Sequence, residues 1–187
     1  MTRFREGTPN FQLQYDPADI PKLAAEYMAK FGADDQVMED AGRRIASGDV
    51  SRPNLEAICR WKSARRIRLL DKNTDAEIEQ ALKQAIAAAD VKEAVEALIT
   101  LAGVGVKMAS AILTAINPER YTVLDFRALE ALNVKNSENV DFYVLYVKAC
   151  RSMAKKYGIT MRDFDRANWQ WSKLKSKLSA GVTHCNS

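Results

Sequence analysis

A lysine amine becomes a nucleophile once it loses its proton, and a neighbouring carboxylate can take up a proton or steady a developing positive charge. Lys107 and Asp125, eighteen positions apart, are the two residues of this chain whose setting suggests such work. Lys107 closely follows Gly103-Val104-Gly105, and Leu101 to Leu113 reads LAGVGVKMASAIL, the order of a helix-hairpin-helix motif. Two glycines let a chain reverse within a few residues and leave backbone N–H groups unshielded at the start of the next helix. Those donors and the positive end of the helix dipole make an anion site, and the small Ala109 lets the two helices approach closely. A hairpin of this kind holds phosphates without reading bases. Lys107 is therefore open to three roles: nucleophile, phosphate contact or surface residue. Asp125 stands before a helix beginning at Phe126, where Asp is a preferred cap, so it is a cap, a working carboxylate, or both.

These residues need helices to hold them, and helices are what the sequence offers. Pro21, Gly32, Gly48 and Pro53 bound helices expected at 20–31, 33–47 and from 53 towards Leu70, with a bend near Ser63. Thr74 with Glu77 and Asp90 with Glu93 are spaced as capping boxes, starting helices at 75–89 and 91–101. Further helices are expected at 106–116, 126–132, 139–157 and 161–178; only Tyr121 to Leu124 looks extended, too isolated for a sheet. The fold class is thus all-α, a compact multi-helix globule of 187 residues. One helical unit is expected, with 1–72 packing against 160–178 and 74–157 carrying the hairpin.

Composition narrows the chemistry. With 47% apolar and 28% charged residues the chain is a globular protein that buries its own core. Three dispersed cysteines and the single His184 give neither a disulfide framework, nor a zinc site, nor a Ser-His-Asp centre. Cys59 and Cys150 fall on apolar stripes as buried thiols, while His184 and Cys185 sit in the C-terminal tail. No apolar run follows the charges of MTRFREGTPN, so an intracellular setting is expected, cytoplasmic, nucleoid or nuclear. Ala97 to Ile116 is long and apolar enough to span a bilayer, but Lys107 at its centre and the two glycines make it a buried helical pair instead. No membrane partner is expected.

The net charge of +4 is unevenly spread: Val147 to Ser187 carries nine Lys/Arg against two acids. A second basic knot comprises Arg60, Lys62, Arg65, Arg66 and Arg68, with Trp61 inside it. Basic patches interleaved with aromatics suit a polyphosphate partner, and equally a solvated helix face. Trp61 either stacks on a partner or packs in the core. Trp169 and Trp171, two apart, lie on different helix faces, so one is expected in the core and the other exposed.

The stretch LAGVGVKMASAILTAINPERYTVLDFRAL resembles the catalytic signature of the HhH-GPD superfamily of DNA glycosylases, the endonuclease III, MutY and 8-oxoguanine glycosylase types. The resemblance implies base-excision repair: an N-glycosylase with AP-lyase activity acting on double-stranded DNA that carries a damaged base, as a monomer. By position, Lys107 is the nucleophile that attacks C1′ and forms a Schiff base, and Asp125 assists it. Gly103, Val104, Gly105, Lys107, Arg60, Trp61 and Lys62 contact DNA, the last three in a region that fills the gap left by a flipped base. The family's hairpin carbonyls, here Ile99, Leu101 and Val104, hold a K⁺ or Na⁺ ion. The cysteine quartet of the iron–sulfur branches is absent, so no cluster and no other cofactor is expected. After Asp125, where the family has a small residue and then His or Asn, this chain has Phe126-Arg127. The alternative is a non-catalytic helix-hairpin-helix module for DNA binding or protein interaction.

Overall fold

The computed structural model describes residues 9–182, the side chains of 179–182 excepted. Every regular element among them is helical: α1 Ile20–Ala46, α2 Arg52–Ser63, α3 Ile67–Leu70, α4 Asp75–Ala87, α5 Val91–Leu98, α6 Val106–Ile116, α7 Phe126–Ala131, α8 Val140–Tyr157 and α9 Met161–Val182. His184 and Cys185 lie outside the described residues. No described helix is long and apolar enough to cross a membrane. The apolar stretch from Ala97 to Ile116 is split between the end of α5, a turn, and α6.

The first helix departs from expectation. Gly32 does not end it; α1 runs unbroken for 27 residues. A glycine inside a helix costs about 1 kcal/mol, which the packing of α1 along both α9 and α2 offsets. Another glycine of α1 is required: a Cβ on Gly42 would lie 2.0 Å from the Ala115 carbonyl oxygen, so α1 and α6 touch backbone to backbone there. The Thr74 capping box forms in full. The second box forms by half: Asp90 accepts from the Glu93 N–H, but the Glu93 carboxylate accepts from Ala89 N–H, one residue earlier than the motif requires.

One core joins these helices. All nine described helices contribute apolar residues to it, and the almost wholly buried α6 packs within it against α1, α2 and α5. Cys59 and Cys150 are buried free thiols, and burial pushes the Cys59 thiol up to about 12, so both pack rather than react. Tyr121 to Leu124 is buried and forms no strand; side chains take over the ladder's task. The Tyr143 and Tyr146 hydroxyls donate to the Thr122 and Val123 carbonyls, and Leu124 N–H donates to Ser110 Oγ. That segment delivers Asp125 to its place at a fixed distance from α6.

Candidate functional site

The turn between α5 and α6 is clamped from outside. Asn73 accepts from Ala102 N–H at 2.8 Å and donates to the Ala102 carbonyl at 3.1 Å. Gly103 has φ +87°, and a Cβ there would meet the Leu69 Cβ at 2.7 Å, so both conformation and contact call for glycine. Gly105 differs: its backbone is extended, and a Cβ added there would meet open space. Gly105 is the N-cap of α6 and offers no side chain to the orphan N–H groups of the first turn. Arg65, Arg66 and Arg68 are exposed on the segment that meets this turn. Val104 N–H donates to the Leu101 carbonyl at 3.1 Å.

A pocket of about 840 Å³ opens between α1, α2, α9 and the loop before α7. Aromatic side chains wall it: Tyr27 and Phe31 of α1, Trp61 of α2 and Trp169 of α9. Trp169 meets both Tyr27 and Phe31 edge-on at about 5 Å between ring centres. Asp125, Lys62 and Asp165 bring charge to the same wall. Lys62 Nζ lies 3.0 Å from Asp125 Oδ2 and 3.3 Å from the Leu124 carbonyl oxygen. Asp125 also caps α7, its Oδ1 accepting from Arg127 N–H, while its Oδ2 faces Lys62.

Lys107 is placed elsewhere. Its ammonium is 3.0 Å from Glu138 Oε1, and Lys107 does not line the pocket. The structure thus brings Asp125 together with Lys62, Trp61 and Arg60 on the pocket, and leaves Lys107 off it, with Ser110 hydrogen-bonded to the backbone of both Lys107 and Leu124. That hydroxyl donates to the Lys107 carbonyl and accepts from Leu124 N–H. Trp169 and Trp171 do not divide into core and exposed as expected. Both are half-buried, Trp171 stacked on Tyr15 and Trp169 in the pocket wall with the Arg127 guanidinium 5.3 Å from its ring.

Behind the aromatic wall is a buried ionic cluster that local sequence patterns did not reveal. Asp35, with no exposed surface, accepts from Arg162 at 2.6 Å, Arg166 at 3.0 Å, Tyr27 OH at 3.0 Å and Trp61 Nε1 at 3.2 Å. Glu39 and Asp165 complete the pairing of the two arginines. Two of the nine C-terminal cations are therefore internal, not part of a basic face. Burial and the adjacent Asp35 hold the Tyr27 phenol above its ordinary range.

Burial also raises the Asp165 carboxyl to about 6; Arg162 and Lys62 pull it down, and Asp125 and Asp35 push it up. An acid whose folded pKa is raised binds more protons folded than unfolded between the two values, so stability falls as pH climbs from about 4 to about 6. Wild type should lose stability relative to Asp165→Asn across that interval, read by urea unfolding. A difference that does not change with pH would contradict a raised Asp165.

Among the described residues, no group of three or more His, Cys, Asp or Glu side chains gathers to hold a metal. Comparison with protein-family models, with curated proteins and with solved structures gives no match for this chain.

Proposed function

We propose that this chain grips double-stranded DNA by the turn between α5 and α6 and releases a damaged base extruded into the adjoining pocket, as a base-excision DNA N-glycosylase with AP-lyase activity. The observation that carries this reading is the ion pair of Asp125 with Lys62 on an aromatic-walled pocket, reached by the same segment that runs on to the glycine turn. A base leaves the stack only when a pocket offers it stacking surface and room. Tyr27, Phe31, Trp61 and Trp169 supply the surface. The bare N–H groups of α6 and the arginines at 65, 66 and 68 supply phosphate contacts that fix the duplex without reading sequence. Asp125 steadies positive charge on the sugar as the glycosidic bond breaks. Carbonyls of Ile99, Leu101 and Val104 would hold a monovalent cation at the turn, where it would offset phosphate charge; the Leu101 carbonyl already accepts from Val104 N–H with one of its lone pairs.

A second reading has its own support. Lys107, paired with Glu138 away from the pocket, suits a phosphate contact, as in a helix-hairpin-helix module that holds DNA without cutting it. Base release decides between the two. Duplexes each bearing one lesion are incubated with the protein and the freed base is detected by mass spectrometry. Release from any of them supports the enzyme; salt-dependent binding with none released supports the module.

The grip itself is testable without disturbing the fold. Gly105→Ala meets no neighbour and adopts an ordinary φ, so unfolding free energy should fall by no more than about 1 kcal/mol, the difference between glycine and alanine at an N-cap. Duplex affinity should fall by about tenfold, because the methyl group covers the N–H donors a phosphate would use. Replacing K⁺ by a bulky organic cation at equal ionic strength should weaken binding too. Equal affinities in both comparisons would make this turn a structural reversal only.

A further inference from the structure

We propose that Lys62, and not Lys107, is the amine that bonds covalently to the C1′ carbon of the sugar. The inference deepens the glycosylase–lyase reading and rests on it. Three observations select Lys62. It lines the pocket, and Lys107 does not. Its Nζ is 3.0 Å from the Asp125 carboxylate, whereas the carboxylate on Lys107 belongs to the exposed Glu138. Its side chain is 13% exposed against 31% for Lys107, so water competes less for its nitrogen. Shielding from water disfavours the charged ammonium, and a carboxylate in contact can take the proton that must leave before attack and return it afterwards. Two of the three ammonium hydrogens have partners, Asp125 Oδ2 and the Leu124 carbonyl, and those contacts hold the nitrogen on the pocket wall.

The step balances on an abasic site in its open aldehyde form. The Lys62 ammonium gives one proton to Asp125, and the free electron pair on nitrogen forms the N–C1′ bond. The aldehyde oxygen takes up that proton from Asp125 and a second from nitrogen, and its bond to C1′ breaks as water leaves. The third hydrogen stays on nitrogen, and the positive charge of the ammonium reappears on the iminium. No oxidant, reductant or metal enters. Asp165 lines the same wall but is paired with Arg162 at 2.6 Å, which leaves Asp125 as the carboxylate in contact with Lys62.

Borohydride reduces such an iminium to a stable secondary amine, so the attacking residue can be trapped and identified. The full-length chain is incubated with a duplex carrying one abasic site, reduced, digested and mapped by mass spectrometry. The adduct should map to Lys62. Lys62→Arg keeps a cation beside Asp125 but cannot form the imine, and should lower the trapped fraction by about a hundredfold or more while melting like the wild type. Lys148→Ala, at an exposed position of α8, should still form the adduct. An adduct on Lys107, or one that survives Lys62→Arg, overturns the assignment and leaves the lyase reading standing. Base release without any adduct also overturns it, in favour of water as the nucleophile. Duplex binding with neither release nor adduct overturns the glycosylase reading itself.

Discussion

Asp35→Ala is expected to lower the unfolding free energy by about 3–5 kcal/mol, because it strands buried charge. Arg162 and Arg166 both rest on this carboxylate, and their side chains are only 8% and 11% exposed, so little solvent can take its place. Tyr27 OH and Trp61 Nε1 lose their acceptor in the same substitution. Asp35 therefore joins α1 to α9 and also orients two of the four aromatic walls of the pocket. Asp40→Ala, five residues on in the same helix, breaks an exposed ion pair with Arg43 and should cost less than about 1 kcal/mol. Urea unfolding of the two variants gives the comparison. Equal losses would mean that α1 is held to α9 by apolar packing alone. Replacing Asp35, Arg162 and Arg166 together by apolar residues of similar volume should recover much of the loss, since the cost lies in unpairing the charges.

That cluster also marks the limit of what the sequence discloses. Helices bounded by proline or capped by threonine were legible because their signals are local: α6 begins at Val106 and ends at Ile116 as its glycine and Asn-Pro flanks require. The stop at Gly32 was misread because the packing that carries α1 through it comes from α9, more than a hundred positions away. The same distance hides the ionic cluster. Arg162 and Arg166 look like members of a basic helix until Asp35, 127 positions upstream, is folded against them. Tyr27 and Phe31 carry a weak local signal, an aromatic pair at helical spacing just before Asp34-Asp35. Lys62 was visible as part of a basic knot with Trp61, and Asp125 as a candidate carboxylate. Their pairing across 63 positions depends on α2 and the 121–124 segment meeting at α6, which no spacing rule encodes.

Asp125→Asn separates the two duties of that residue. Its Oδ1 accepts from Arg127 N–H at 3.0 Å and starts α7; its Oδ2 accepts from Lys62 at 3.0 Å. An asparagine keeps the oxygen that caps, and asparagine ranks with aspartate as an N-cap. Stability should therefore change by no more than about 1 kcal/mol. What is lost is the negative charge, and with it both the acceptor for a Lys62 proton and the counter-charge for a cationic sugar. The single-turnover rate of base release should fall by about 10²–10⁴. Asp125→Ala removes the cap as well, so it should reproduce the rate loss and add about 1 kcal/mol of destabilisation. The pattern that matters is rate without stability in the first variant and both in the second. An asparagine variant that releases base as fast as the wild type would reduce Asp125 to a helix cap, and the pocket's chemistry would then have to come from another of its lining carboxylates, Asp165 beside Arg162, Asp34 or Glu56.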